Sequence, residues 1–110
     1  MGKPGLAEGS YRKALERDPD SVTALNNLAI MLEGEKDGAK EALDLAQRAW
    51  KLAPNNPAVG DTLGWAHYGM KEYDNAVNLL QLTAQRAPRE PTIRYHLGAA
   101  LYAAGKDEEE

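Results

Sequence analysis

The chain repeats itself, and the repeat constrains its fold more than any other feature. Leu28-Ala29, Leu63-Gly64 and Leu97-Gly98 follow one another at steps of 35 and 34 residues. Ala7, Ala42 and Ala76 keep the same steps, and so do Pro19, Pro54 and Pro88. Three series with a common period define one small structural unit used several times. A unit of that length cannot bury its own apolar face, so it must stack on its neighbours. Function is then expected on a stacked surface rather than in a cleft of a globular core.

The period within each unit is helical. Apolar residues recur at spacings of three and four, and no stretch sustains the alternation of a strand. Six helices are expected between the breakers. The first runs from about Leu6 to Arg17, stopped by Asp18-Pro19-Asp20. The second follows Ser21 as N-cap and carries Val22, Leu25, Leu28, Ala29 and Leu32 to Gly34. The third spans Ala39 to Leu52, the fourth Ala58 to about Met70, and the fifth Tyr73 to Arg86. The sixth begins at Pro91, which suits a first helical turn, and is expected to end near Ala104 or Gly105. Gly34, Gly38 and Gly105 read as turn residues between helices. Short loops make successive helices antiparallel neighbours. Leu28 to Ala42 is one residue longer than Leu63 to Ala76, which places the extra residue of the first step in the Glu33–Gly38 turn.

Small side chains set how closely the helices cross. Ala29, Gly64 and Gly98 on one helix type are expected to face Ala7, Ala42 and Ala76 on the other, bringing the backbones close together. Leu28, Leu63, Leu97, Tyr11 and Leu80 would fill the space around each crossing, so enlarging Gly64 should overpack it.

Charge and composition remove several function classes. Asp107, Glu108, Glu109 and Glu110 are four of the 17 acidic residues, leaving 13 against 13 Lys and Arg in the rest of the chain. A balanced body has no reason to accumulate on phosphate backbones or anionic lipid, so nucleic acid is not expected as a partner. The acidic residues 107–110 read as a solvated, disordered tail. Without cysteine there is no disulfide or thiolate metal site. No apolar run approaches the roughly 20 residues of a membrane span, so direct membrane insertion is not expected. Met1-Gly2-Lys3-Pro4-Gly5 lacks the apolar stretch of a signal peptide, and Leu6 stands where myristoylation requires Ser or Thr.

Catalysis and metal binding find no foothold. His67 and His96 are 29 residues apart, on separate helices and without ligand spacing. His67 reads as packed against the neighbouring helix, and His96 as a groove or surface residue. No serine has a nucleophile-elbow setting and no glycine loop is built to cradle phosphate. Glu35-Lys36-Asp37, and Glu41 beside Lys40, read as solvated helix ends. The expectation is no catalytic residue, no metal and no cofactor.

The pattern resembles the tetratricopeptide repeat (TPR), a helix–turn–helix unit of about 34 residues. Leu63-Gly64, Tyr73, Ala76, Leu80 and Pro88 carry the clearest copy, and Leu28-Ala29, Ala42, Ala49 and Pro54 the one before it. Ala7, Tyr11, Ala14 and Pro19 look like a second helix alone; Leu97-Gly98, Leu101 and Gly105-Lys106 look like a first helix alone. Gly60 departs from the pattern where a bulky residue is common, and Thr83 replaces a small Ala. The resemblance implies an all-α, right-handed α-solenoid of antiparallel helix pairs. Its divisions are a half repeat at 5–21, full repeats at 22–56 and 57–90, a half repeat at 91–106, and the acidic tail. Ends in mid-repeat suggest a piece of a longer array, the alternative being a short protein whose half repeats cap each other. Either way, a flank of Leu97, Leu101 and Tyr102 on the sixth helix is expected to be exposed and able to form a homodimer. A finer similarity, along Asn56–Trp65 and Ile93–Gly98, is to bacterial TPR proteins of exopolysaccharide-associated PEP-CTERM/exosortase systems. These are often envelope lipoproteins, which would place the chain in the cell envelope or periplasm; otherwise a cytoplasmic location is expected.

The resemblance also implies a binding surface, because the first helix of each TPR unit lines the concave face. Here that groove would draw on Asn26, Asn27, Ile30 and Glu33, then Asp61, Thr62, Trp65 and Tyr68, then Tyr95, His96, Ala99 and Tyr102. The spacing from Asp61 through Trp65 to Tyr68 independently puts those side chains on one helical face. Rings beside amides and carboxylates suit a peptide or protein segment. Packing of Trp65 and Tyr68 within and between repeats is the alternative reading. The cationic clamp by which chaperone-binding TPR domains hold a terminal carboxylate is missing: its places hold Thr23, Asn26, Ala58, Asp61, Thr92 and Tyr95, and Asn27 alone is compatible. A neutral to basic ligand segment is expected in a protein–protein interaction scaffold. The alternative function is a structural or self-association module of a longer envelope-associated repeat protein.

Overall fold

The computed structural model describes residues 4–109, and the side chains of 7–106. The terminal Met1–Lys3 and Glu110, on which the leader, myristoylation and tail readings partly rest, lie outside the described residues. Among the described residues there are six helices: α1 (Pro4–Arg17), α2 (Val22–Glu33), α3 (Ala39–Leu52), α4 (Pro57–Gly69), α5 (Tyr73–Arg86) and α6 (Pro91–Glu109). The expected boundaries hold to within two residues except at the end of α6.

Local chemistry sets the starts. The Ser21 hydroxyl accepts the Ala24 amide, and Asn56 Oδ1 accepts those of Ala58 and Val59 ahead of Pro57 at the first turn of α4. In the α2–α3 turn a Cβ on Gly38 would collide with the Leu32 carbonyl, so only glycine lets the chain double back there.

The acidic end corrects the sequence reading. α6 does not stop at Gly105 but runs on to Glu109, taking residues 107–109 into the helix. Gly105 keeps a helical backbone rather than the left-handed one that ends a helix, and no proline follows it.

Each helix packs on the next, and α4 additionally touches α2 and α6. The backbones of α1, α3 and α5 make no such approach to one another. One layer, α2/α4/α6, is therefore drawn together while the other is splayed, and a stack built this way is concave on its tighter side. The molecule measures 44 × 29 × 26 Å. Long side chains bridge the splayed side. Arg12 of α1 forks onto both carboxylate oxygens of Glu41 at 2.9 and 3.1 Å, so Glu41 is an inter-helix partner and not a merely solvated helix end. Arg48 donates to the Pro19 carbonyl and Arg86 to that of Pro54.

The interior is continuous across α2, α3 and α4, with Leu25, Leu28, Ala29, Ala42, Leu45, Ala46, Ala49, Val59 and Leu63 buried together. A second cluster joins Ala76, Leu80 and Ala100, with Tyr68 and Leu97 against it. Ala29, Ala42, Gly64 and Ala76 are buried as the small-residue argument requires, and the Leu80 side chain fills the space a Cβ on Gly64 would need, at 2.6 Å. Ala7 and Gly98 depart from it: both are exposed, because the helix each would cross is not among the six. The two departures from the repeat pattern answer each other. A Cβ on Gly60 would lie 2.5 Å from Thr83 Oγ1 and 3.1 Å from the Trp50 ring, so the larger Thr83 and Trp50 occupy the volume that Gly60 vacates.

Candidate functional site

The concave layer carries a row of connected cavities. One of about 370 Å³ lies between Ile30, Glu33 and Gly34 of the α2 end, Asp61, Thr62 and Trp65 of α4, and Thr92 and His96 of α6. Another, of about 480 Å³, continues past Asn26 and Ile30 to Ala58, Asp61, Thr92 and Ile93. A third, of about 220 Å³, extends from Glu33 and Trp65 to Tyr68 and Ala39.

Aromatic rings form the spine of this surface. Trp65 is stacked on Tyr68 of its own helix at 4.3 Å between centroids and 4° between planes. Its other face carries His96 of α6 at 4.0 Å and 18°. Tyr73 tilts against Tyr68, and Tyr95 against His96. Both faces of the Trp65 ring are thus used inside the protein, and its edge is what the cavities meet. His96 is fixed in turn by Asp61, whose Oδ1 accepts from Nδ1 at 2.7 Å; this contact assigns the proton to Nδ1. A bond across 35 residues, between side chains each under one-fifth exposed, locks α6 to α4.

Two acceptors in the groove have no partner. Asn26 Oδ1 and Glu33 Oε1 are closed off from solvent and receive no hydrogen bond. Burial, and secondarily the Asp61 charge, push the Glu33 carboxyl up to about 8. Glu33 is also the last residue of α2, where the helix dipole is negative and the last turn offers no basic side chain.

The structure thus brings Asn26, Ile30, Glu33, Asp61, Thr62, Trp65, Tyr68 and His96 onto one connected surface. Asn27 is half-buried on α2 and stands off these cavity walls, as does Ala99 on α6. Tyr95 and Tyr102 are 71% and 69% exposed; the first leans on His96, and the second lies under the Lys106 ammonium at 5.7 Å, a turn or more beyond the cavities. His67, its side chain 14% exposed, bonds Glu72 in the α4–α5 turn at 2.8 Å. Sequence reasoning placed Thr92 on the concave face only as a position of the absent clamp, although it lies one helical turn before His96, and it gave Tyr73 no part in the aromatic row. It also missed that Glu33 and Asp61 share a cavity, since nothing local links them.

The tetratricopeptide repeat family model matches residues 1–57 and 62–110, nearly the whole chain. A TPR repeat-containing protein of Pseudomonas aeruginosa is 34% identical over 91 residues, which are 83% of this chain and 15% of that protein. The chain therefore spans about one-seventh of the length of this relative.

Proposed function

Because the chain belongs to the tetratricopeptide repeat family, whose repeats are generally protein–protein interaction modules and typically non-catalytic, we propose that it is a scaffold that binds a peptide or protein segment in the groove of α2, α4 and α6. The observation that carries this reading is the cavity row on the concave layer, where the Tyr68–Trp65–His96 stack stands beside unpartnered acceptors. The groove presents Glu33, Asp61 and Glu90 and no Lys or Arg on these walls, which favours a neutral to basic segment. The test is selection of binders from a random-peptide library against the folded chain. Selected peptides should shift the Trp65 indole resonance and leave that of Trp50, on the far layer, in place. Trp65→Ala should weaken them by about 2 kcal/mol or more. Peptides that bind as well to a correctly folded Trp65→Ala would remove the groove from consideration.

A second reading rests on α6, where Leu101 and Tyr102 are 47% and 69% exposed on a helix with no later helix against it: the chain is a self-association module. The finer similarity to envelope proteins of exopolysaccharide-associated systems belongs to the same proposal, under which the protein would work in the cell envelope. Fractionation of the natural protein into cytosol alone would count against that placement.

A further inference from the structure

Resting on the groove reading above, we propose that the cavity between Glu33 and Asp61 is an arginine pocket, receiving the guanidinium of one arginine in the bound segment. Two carboxylates set the chemistry. Glu33 lines this cavity and its Oε1 is buried without a donor, and a buried acceptor left unpaired is unfavourable until a donor arrives. Asp61, whose Oδ1 accepts from His96, lines the same cavity. Acceptors spread over two helices match the fork of a guanidinium, with its five N–H donors, better than the compact ammonium of lysine. The end of α2 adds its negative dipole to the same spot, with no basic side chain in its last turn to offset it. The faces of Trp65 are already covered, so hydrogen bonding to oxygens, not stacking, holds the cation; Ile30, half-exposed at the rim, faces the aliphatic stem.

The pocket couples binding to a proton. The titratable groups sharing its walls are Asp61 and Tyr68 from α4 and His96 from α6, while α3 contributes Ala39. Glu33, held up near 8, carries a proton at neutral pH when the pocket is empty. A guanidinium favours the ionised carboxylate, so arginine should displace that proton and bind more tightly as the pH rises.

The probes are N-acetyl-arginine amide and the N-acetyl-citrulline amide of the same shape but without charge, titrated into the wild-type chain by NMR. The arginine amide should shift Trp65, Tyr68 and Thr92 resonances, bind about ten-fold or more tighter than citrulline, and tighten about ten-fold or more from pH 6 to pH 9. Glu33→Gln should reduce its affinity about ten-fold and abolish the pH dependence. The wild-type pH series keeps the test valid if that variant does not fold. Equal binding of the two amides, shifts confined to other surfaces, or an affinity that does not rise with pH would overturn the pocket. If library peptides still depend on Trp65 while the arginine amide fails, the groove stands and the pocket alone falls. If the arginine amide binds and the peptides ignore Trp65, the pocket stands and the extended groove falls.

Discussion

At the residue scale, single side chains carry consequences that their neighbours dictate. Glu33 is an ordinary glutamate by sequence and is pushed up to about 8 by burial and by Asp61. The native state therefore keeps a proton that the unfolded chain releases near pH 4.5. The stability linked to this group is complete below that pH and declines as the pH rises towards 8. Glu33→Gln does not titrate, so its melting temperature should fall less than that of the wild type between pH 5 and pH 8.5. Parallel profiles for the two proteins would contradict the assignment. Gly64 is the opposite case, important for what it lacks. The Leu80 branch already stands 2.6–2.7 Å from a would-be Cβ, so Gly64→Leu should destabilise by about 1–3 kcal/mol or more. An unchanged thermal midpoint would count against the close crossing of α4 and α5. Both residues were singled out from the sequence; the origin of the Glu33 shift was not, because Asp61 lies 28 residues away along the chain.

At the element scale, the turns show where local chemistry is well matched and where it is not. Gly38 occupies a position that only glycine fits, and Ser21 and Asn56 cap the helices that follow them. The α4–α5 turn is less favourable: Lys71 sits in the left-handed region at φ 62°. Side chains there clash with the following carbonyl, at roughly 1–2 kcal/mol, whereas glycine adopts the conformation freely. Lys71→Gly should therefore stabilise the protein by about 0.5–1 kcal/mol, read as a higher midpoint in chemical denaturation; a lower midpoint would show that the lysine makes a contact worth more than the strain. The helix boundaries were legible because proline, glycine and capping residues act within a few positions of themselves. The end of α6 was not, since a glycine permits termination without compelling it.

At the scale of the whole molecule, helices that pack in sequence make a stack whose ends differ from its middle. Positions that are buried at the inner crossings, such as Ala42 and Ala76, become the exposed Ala7 at one end, and the inner Gly64 becomes the exposed Gly98 at the other. The apolar side chains Leu101 and Tyr102 stand out on α6 for the same reason. Concentration-dependent sedimentation is expected if a second copy covers them, with Leu101→Glu restoring a monomer. A mass independent of concentration in the wild type would exclude self-association through this face.

The sequence by itself determined the number of helices, their order, the alternation of two helix types and the small residues at their crossings. All of these follow from periodicity and from interactions a few positions apart. It also marked most of the concave side chains, because helical spacing sets which of them share a face. Tertiary structure decided what those side chains became. It turned Trp65 into the middle of a stack by bringing His96 against it from 31 positions further on. It joined Arg12 to Glu41, fitted Thr83 and Trp50 into the space left by Gly60, and enclosed Glu33 with Asp61 and no cation. Such pairings depend on how one helix is placed over another, and that placement is set by the summed packing of all six rather than by any local run of residues.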